Sequence, residues 1–127
     1  MKKYRIELSE EQLRLVANCL EDISRFASGQ TELKNTIEEM TKHLDHDISH
    51  ERLKDADLYL RGAKAVLLPE LQTNQSYGYN STEFIGNTYQ IYRTILHCLA
   101  IENNWDNVYS SPALKSGTMG VVKIEKV

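Results

Sequence analysis

Apolar residues recur at helical spacing through four stretches of the chain and alternate strictly in two short stretches at its ends. Residues 3–8 alternate, with Tyr4, Ile6 and Leu8 facing one way and Arg5 and Glu7 the other, the period of a half-buried strand. Ser9 then has the character of an N-cap, with Gln12 at the capping-box position and Glu10 and Glu11 in the first turn, where carboxylates complement the helix dipole. The helix that follows has an apolar stripe of Leu13, Val16, Ala17, Leu20, Ile23 and Ala27, and Gly29 is its stop or kink. Thr31 can cap a second helix with Leu33, Ile37, Met40 and Leu44 inside; the alternative is a continuation of the first helix with a bend at Ser28-Gly29. A third helix starts near Ser49, with Leu53, Ala56, Leu60, Ala63 and Leu67 as its core stripe, and Pro69 ends it or kinks its last turn. Residues 72–81 have loop composition and carry two aromatics, Tyr77 and Tyr79. Ser81 or Thr82 caps a fourth helix that runs to about Asn103. After Pro112 and Gly117, residues 121–126 alternate again.

A lone strand leaves its backbone groups unpaired, and the two alternating segments at opposite ends most simply pair with each other. The expected fold is therefore mainly α, with about four helices and a small terminal antiparallel β-ribbon. It forms a single domain over residues 1–127, a length that suits one core rather than two. The ribbon leaves edges, and helix four is apolar on more than one side, with Ile85, Tyr92, Ile95, Leu96 and Leu99 on one and Ile91 and Cys98 on another. Both features predict a homodimer or a higher homo-oligomer.

The formal net charge is −3, and acids and bases are interspersed along the helices. That pattern argues against a nucleic-acid polymer as partner, which calls for clustered Lys and Arg. No run approaches the ~18 apolar residues of a membrane span, and Met-Lys-Lys at the start is not followed by the apolar segment of a signal peptide. The expected compartment is cytoplasmic, and Cys19 and Cys98, each in an apolar run, are expected as reduced, buried thiols.

Helix four carries the chemistry. Tyr89, Arg93 and His97 follow one another at i, i+4 and i+8 on an otherwise apolar helix, so they form one slowly winding stripe. An aromatic, a fixed cation and a titratable ring are costly as packing material unless a polar or anionic partner is present. Tyr77, Tyr79 and Phe84 lie in the loop and first turn that open this helix. Its N-terminus offers free amide donors, and aromatics stack on bases. Asn87 adds an amide able to read a base edge or sugar, and Arg25 near Gly29 is a second candidate cation. The stripe also fits a core helix or subunit interface whose polar groups find local partners.

Two other constellations weigh less. His43, Asp45, His46, Asp47 and His50 have metal-ligating chemistry. The segment contains a helix break, however, Asp47 or Ser49 is needed as a cap, and no second ligand pair sits on another helix. A polar inter-helix turn is expected there, with no metal and no cofactor. Cys98 adjoins His97, but neighbours on a helix point about 100° apart and cannot act as a nucleophile–base pair. No phosphate-binding glycine loop or serine elbow is present, so the chain reads as a binding protein rather than an enzyme.

The order of a strand, Leu-Ser-Glu-Glu-Gln (8–12), a long helix ending Ile-Ser-Arg-Phe-Ala-Ser-Gly-Gln (23–30), Tyr-Gln-Ile-Tyr-Arg-Thr-Ile-Leu-His-Cys-Leu-Ala (89–100), Val-Tyr-Ser-Ser-Pro-Ala-Leu-Lys-Ser-Gly (108–117) and a final strand resembles small phage and prophage proteins, in particular the Thoeris anti-defence type one family. The matching pieces are Ser24-Arg25 with Gly29-Gln30, and Tyr89 to His97; the middle of the chain does not align. The resemblance implies a sponge that sequesters cyclic ADP-ribose isomers made by bacterial TIR-domain immune proteins in the host cytoplasm. It also implies dimers or higher assemblies, some members holding cyclic oligonucleotides at a separate site. The ligand-binding residues expected on these grounds are Arg25, Tyr77, Tyr79, Phe84, Asn87, Tyr89, Arg93 and His97. The alternatives are a helical interaction protein of a mobile element without a small ligand, and a metal-dependent enzyme using His43, His46 and His50.

Overall fold

A computed structural model describes residues 2–127. Four α-helices follow in order: α1 over Glu10–Ser28, α2 over Lys34–Thr41, α3 over His50–Leu67 and α4 over Glu83–Asn103, with a short 3₁₀ turn at Val108–Ser110. The caps follow the sequence closely. The Ser9 hydroxyl accepts from the Gln12 N–H at 3.1 Å while the Gln12 side chain accepts from the Ser9 N–H at 2.8 Å. Gly29 ends α1 at φ 100°, a left-handed backbone that glycine adopts without strain. Ser49 caps α3 and Thr82 caps α4. The second helix differs: it begins after Leu33, in the left-handed region at φ 47° with no side-chain cap of its own, rather than at Thr31, which is buried. Asp22 of α1 takes over the capping, accepting from the Thr36 N–H at 2.6 Å and the Asn35 N–H at 3.3 Å.

α1 and α4 pack antiparallel: Ser24 near the end of α1 donates to the Ile85 carbonyl near the start of α4, and Asn103 donates to Glu10. Ala17, Tyr92, Ile95, Leu96 and Leu99 form the core, with Leu13, Leu20, Trp105 and Ile124 against it. The small Ala17 and Ser24 on the packed face of α1 leave room for the larger residues of α4.

The terminal antiparallel β-ribbon is absent, and no strand occurs among the described residues. The N-terminal segment lies exposed, with Tyr4 85% and Ile6 76% accessible. The C-terminal segment is occupied elsewhere. Its two-residue period turns Val122 and Ile124 toward the helices, with Ile124 against the core and the Val122 N–H donating to Gln90 Oε1 at 3.4 Å. Alternation marks one covered face, and here a helix pair covers it instead of a second strand.

The C-terminal strap is pinned by a close backbone approach. A Cβ on Gly86 would lie 2.7 Å from the Gly117 nitrogen, so the strap reaches α4 only where both residues lack a side chain. Ser116 donates to the Gly86 carbonyl at 2.8 Å, and Asn87 Oδ1 accepts from the Thr118 and Met119 N–H groups.

α3 departs from its expected burial. None of Leu53, Ala56, Leu60, Ala63 and Leu67 is buried, and Leu53 and Leu67 are exposed. The helix is held at its C-terminal end, where Lys64 is buried and donates to the Thr73 and Gln75 carbonyls while the Tyr77 N–H donates to the Ser28 carbonyl at 2.7 Å. On α1, Val16 and Ile23 from the expected stripe are also exposed, as is Cys19; Cys98 is half-buried, and both thiols are free. No helix among the described residues is long and apolar enough to cross a membrane.

Candidate functional site

Where the C-terminal end of α1 meets the N-terminal half of α4, the loop 72–81 folds against both and an open pocket of about 190 Å³ lies between them. Tyr77 and Tyr79 come from the loop, Tyr89 and Tyr92 from α4, and Arg25 and Gln30 from the end of α1 and the segment beyond it. The Gly29 turn and the Ser28–Tyr77 backbone bond place the loop there. The Tyr79 and Tyr89 rings lie 4.7 Å apart at 44°, and Tyr89 meets Tyr92 edge-on at 5.7 Å. The Tyr77 hydroxyl donates to Glu70.

Arg25 supplies the positive charge. Its guanidinium lies 3.5 Å from the Glu21 carboxylate one turn earlier, and about half of the side chain is exposed. Burial weighs against its charge, but Glu21, with help from Tyr92 and Tyr109, raises its pKa above the ordinary value. Glu21 also accepts from the Tyr109 hydroxyl. Burial and then that hydrogen bond push the Tyr109 phenol up to about 12, and burial raises Tyr92 against the opposing pull of Arg25.

Four of the eight residues expected from sequence therefore share one pocket: Arg25, Tyr77, Tyr79 and Tyr89. The other four lie elsewhere. The Tyr89/Arg93/His97 stripe divides after its first member. Arg93 is buried, donates to the Val108 and Ser111 carbonyls at 3.3 and 3.4 Å, and stacks on Tyr109 with its guanidinium carbon 5.0 Å from the ring centroid. Its Nη1 has no hydrogen-bond partner among the described residues. His97 Nδ1 lies 3.0 Å from the Tyr109 carbonyl. Both side chains thus hold the 108–111 turn. Asn87 holds the 118–119 turn, and Phe84 is 55% exposed outside the pocket.

Tyr92, Gln30, Ser24 and Ser28 line the pocket without having been expected in it. Tyr92 follows Tyr89 at i+3, a spacing that puts two aromatics side by side on a helix, and Ser24 and Gln30 flank Arg25 in the segment that carries the family resemblance. His43, His46 and His50 do not assemble a metal site: among the described residues no group of three or more His, Cys, Asp or Glu side chains is placed to hold one.

No known family model matches this chain, and no curated protein or solved structure matches it either.

Proposed function

We propose that this protein binds and sequesters a small anionic nucleotide without altering it, the ligand being a cyclic ADP-ribose isomer or a related cyclic nucleotide. The observation that carries the reading is a half-exposed arginine, Arg25, at the mouth of a pocket walled by Tyr77, Tyr79, Tyr89 and Tyr92. An aromatic cleft of about 190 Å³ suits a single ring system. Stacking contributes about 1–3 kcal/mol per base, and a charge-assisted hydrogen bond about 1.5–3 kcal/mol. Four such contacts at the top of these ranges sum to the roughly −12 kcal/mol of a nanomolar complex, the affinity a stoichiometric sponge needs. In a phage setting the protein acts in the host cytoplasm and starves a defence effector of its signal. Calorimetric titration with cyclic ADP-ribose isomers tests this. Tight binding, with the nucleotide recovered intact after heat denaturation, is expected. Absence of binding, or recovery of hydrolysed nucleotide, overturns it.

The working form we propose is a homodimer or a multiple of it. A compact monomer of 14.6 kDa exposes about 6,900 Å², whereas this chain exposes 9723 Å². Exposed apolar residues include Leu15 and Ile23 of α1 and Leu58, Tyr59, Val66 and Leu67 of α3, surface that a second copy could cover. Light scattering at micromolar concentration should return at least twice 14.6 kDa; a monomer mass overturns this assembly. The exposed stripe of α3 also favours a second reading, a helical interaction protein without a small ligand. It would leave every nucleotide titration flat.

A further inference from the structure

A larger cavity, of about 680 Å³, adjoins the aromatic pocket, and Arg25 and Gln30 line both. Its chemistry is different. Asn18, Glu32, Lys34, Trp105, Asp106 and Asn107 face it, a wall mainly of carboxylates and amides with one lysine and one indole. Two further carboxylates in it are already engaged. Asp22 is filled by the Asn35 and Thr36 donors, and Glu21 accepts from Asn35 and Tyr109 and forms an ion pair with Arg25. Glu32 and Asp106 are exposed and make no ion pair or side-chain hydrogen bond among the described residues.

Pockets that enclose a whole small ligand run from about 300 to 1,000 Å³. The aromatic pocket falls below that range and the polar cavity lies within it. A ligand reaching Arg25 from the tyrosines can continue into the polar cavity, which Arg25 and Gln30 also line. Ionised carboxylates only accept hydrogen bonds, so they suit hydroxyl groups and repel phosphate; an acidic side chain gripping a ribose hydroxyl is a recurrent mode of sugar recognition. Arg25, at the junction, is where an anion is favoured.

We propose that the polar cavity is a second compartment of the same site, taking a hydroxyl-rich sugar that is joined, through a phosphate at Arg25, to the ring held among the tyrosines. Glu32 and Asp106 grip the sugar hydroxyls, and the two compartments together select a two-part nucleotide over a mononucleotide. This rests on the nucleotide-binding reading above.

Calorimetry with cyclic ADP-ribose and ADP-ribose, which carry two riboses on a diphosphate, and with ADP, which lacks the second ribose, tests it on the full chain and on the double variant Glu32→Gln/Asp106→Asn. Both side chains are exposed, so the helical circular dichroism of the variant should be unchanged. At least one two-ribose compound should bind the parent protein at least tenfold more tightly than ADP, and the double variant should lose that advantage with ADP affinity kept within twofold. Equal affinity of the two-ribose compound for parent and variant overturns the second compartment and leaves the aromatic site standing. Binding of none of the three overturns both.

Discussion

The rings of Tyr79 and Tyr89 lie 4.7 Å apart, although one belongs to the loop 72–81 and the other to α4. The contact fastens the loop to the helix and forms one wall of the pocket. Because Tyr79 is 42% exposed, its truncation should spare the core. Tyr79→Ala is expected to weaken nucleotide binding by about tenfold or more, within the range of one stacked base, while Tyr79→Phe keeps most of the affinity. Calorimetry on the two variants checks this, and equal affinities for both and for the parent would remove Tyr79 from the site.

Arg93 should behave differently from Arg25. It joins α4 to the 108–111 turn through two carbonyls and a tyrosine face, so Arg93→Ala should lower stability by about 1.5–3 kcal/mol, the range for hydrogen bonds made by a charged group. Arg25→Ala, at a half-exposed position, should instead reduce affinity and leave the melting temperature nearly unchanged. Denaturation curves and titrations on the pair separate the two roles; the reverse outcome would exchange them.

Gly86→Ala should destabilise, against the usual trend. Inside a helix this change ordinarily stabilises by about 0.5–1 kcal/mol. Here the new methyl would meet the Gly117 nitrogen at 2.7 Å and its Cα at 2.9 Å. Backbone cannot swing aside as a side-chain tip can, so overpacking of about 1–3 kcal/mol outweighs the helical gain. Urea denaturation measures the sign directly.

Alkaline titration should reveal Tyr109. Its phenol is raised from the ordinary 10 to about 12 by burial and by Glu21, so the folded state holds the proton more tightly than the unfolded one. The associated stability is fully present below pH about 10 and is lost as pH rises toward about 12. Of the seven tyrosines, Tyr77, Tyr92 and Tyr109 are raised, and Tyr109 should be the last to ionise in the ultraviolet absorbance titration; Tyr109→Phe should remove that late step. A late step that persists in the variant would place it on another tyrosine.

Local chemistry was legible wherever a residue answers to its immediate neighbours. The Ser9–Gln12 capping box, the Gly29 stop, the Ser49 and Thr82 caps and the extent of α4 all depend on contacts within a few residues. The one misplaced helix start is instructive, because Asp22 caps α2 from another helix thirteen residues away in sequence from Asn35. Four of the eight residues expected to bind a ligand come together in the candidate pocket for the same reason. Tyr77, Tyr79 and Tyr89 flank the start of α4, and Arg25 stands beside the glycine that turns the chain toward them.

By itself the sequence determined three helices with their caps and a cluster of aromatics near one arginine, and left the second helix open between a separate element and a bend in the first, because periodicity and capping are short-range properties of the chain. It could not say what covers each apolar face. Alternation at residues 121–126 is equally satisfied by a strand or by a helix pair, and the leucine stripe of α3 reads the same whether it is buried or exposed. Nor could it divide the Tyr89/Arg93/His97 stripe, since a helical stripe drifts around its axis and each member meets whatever the rest of the chain brings to that side. Only the tertiary structure decided that Tyr89 faces the loop while Arg93 and His97 hold the 108–111 turn, and that two glycines thirty-one residues apart in sequence let the C-terminal strap close onto α4.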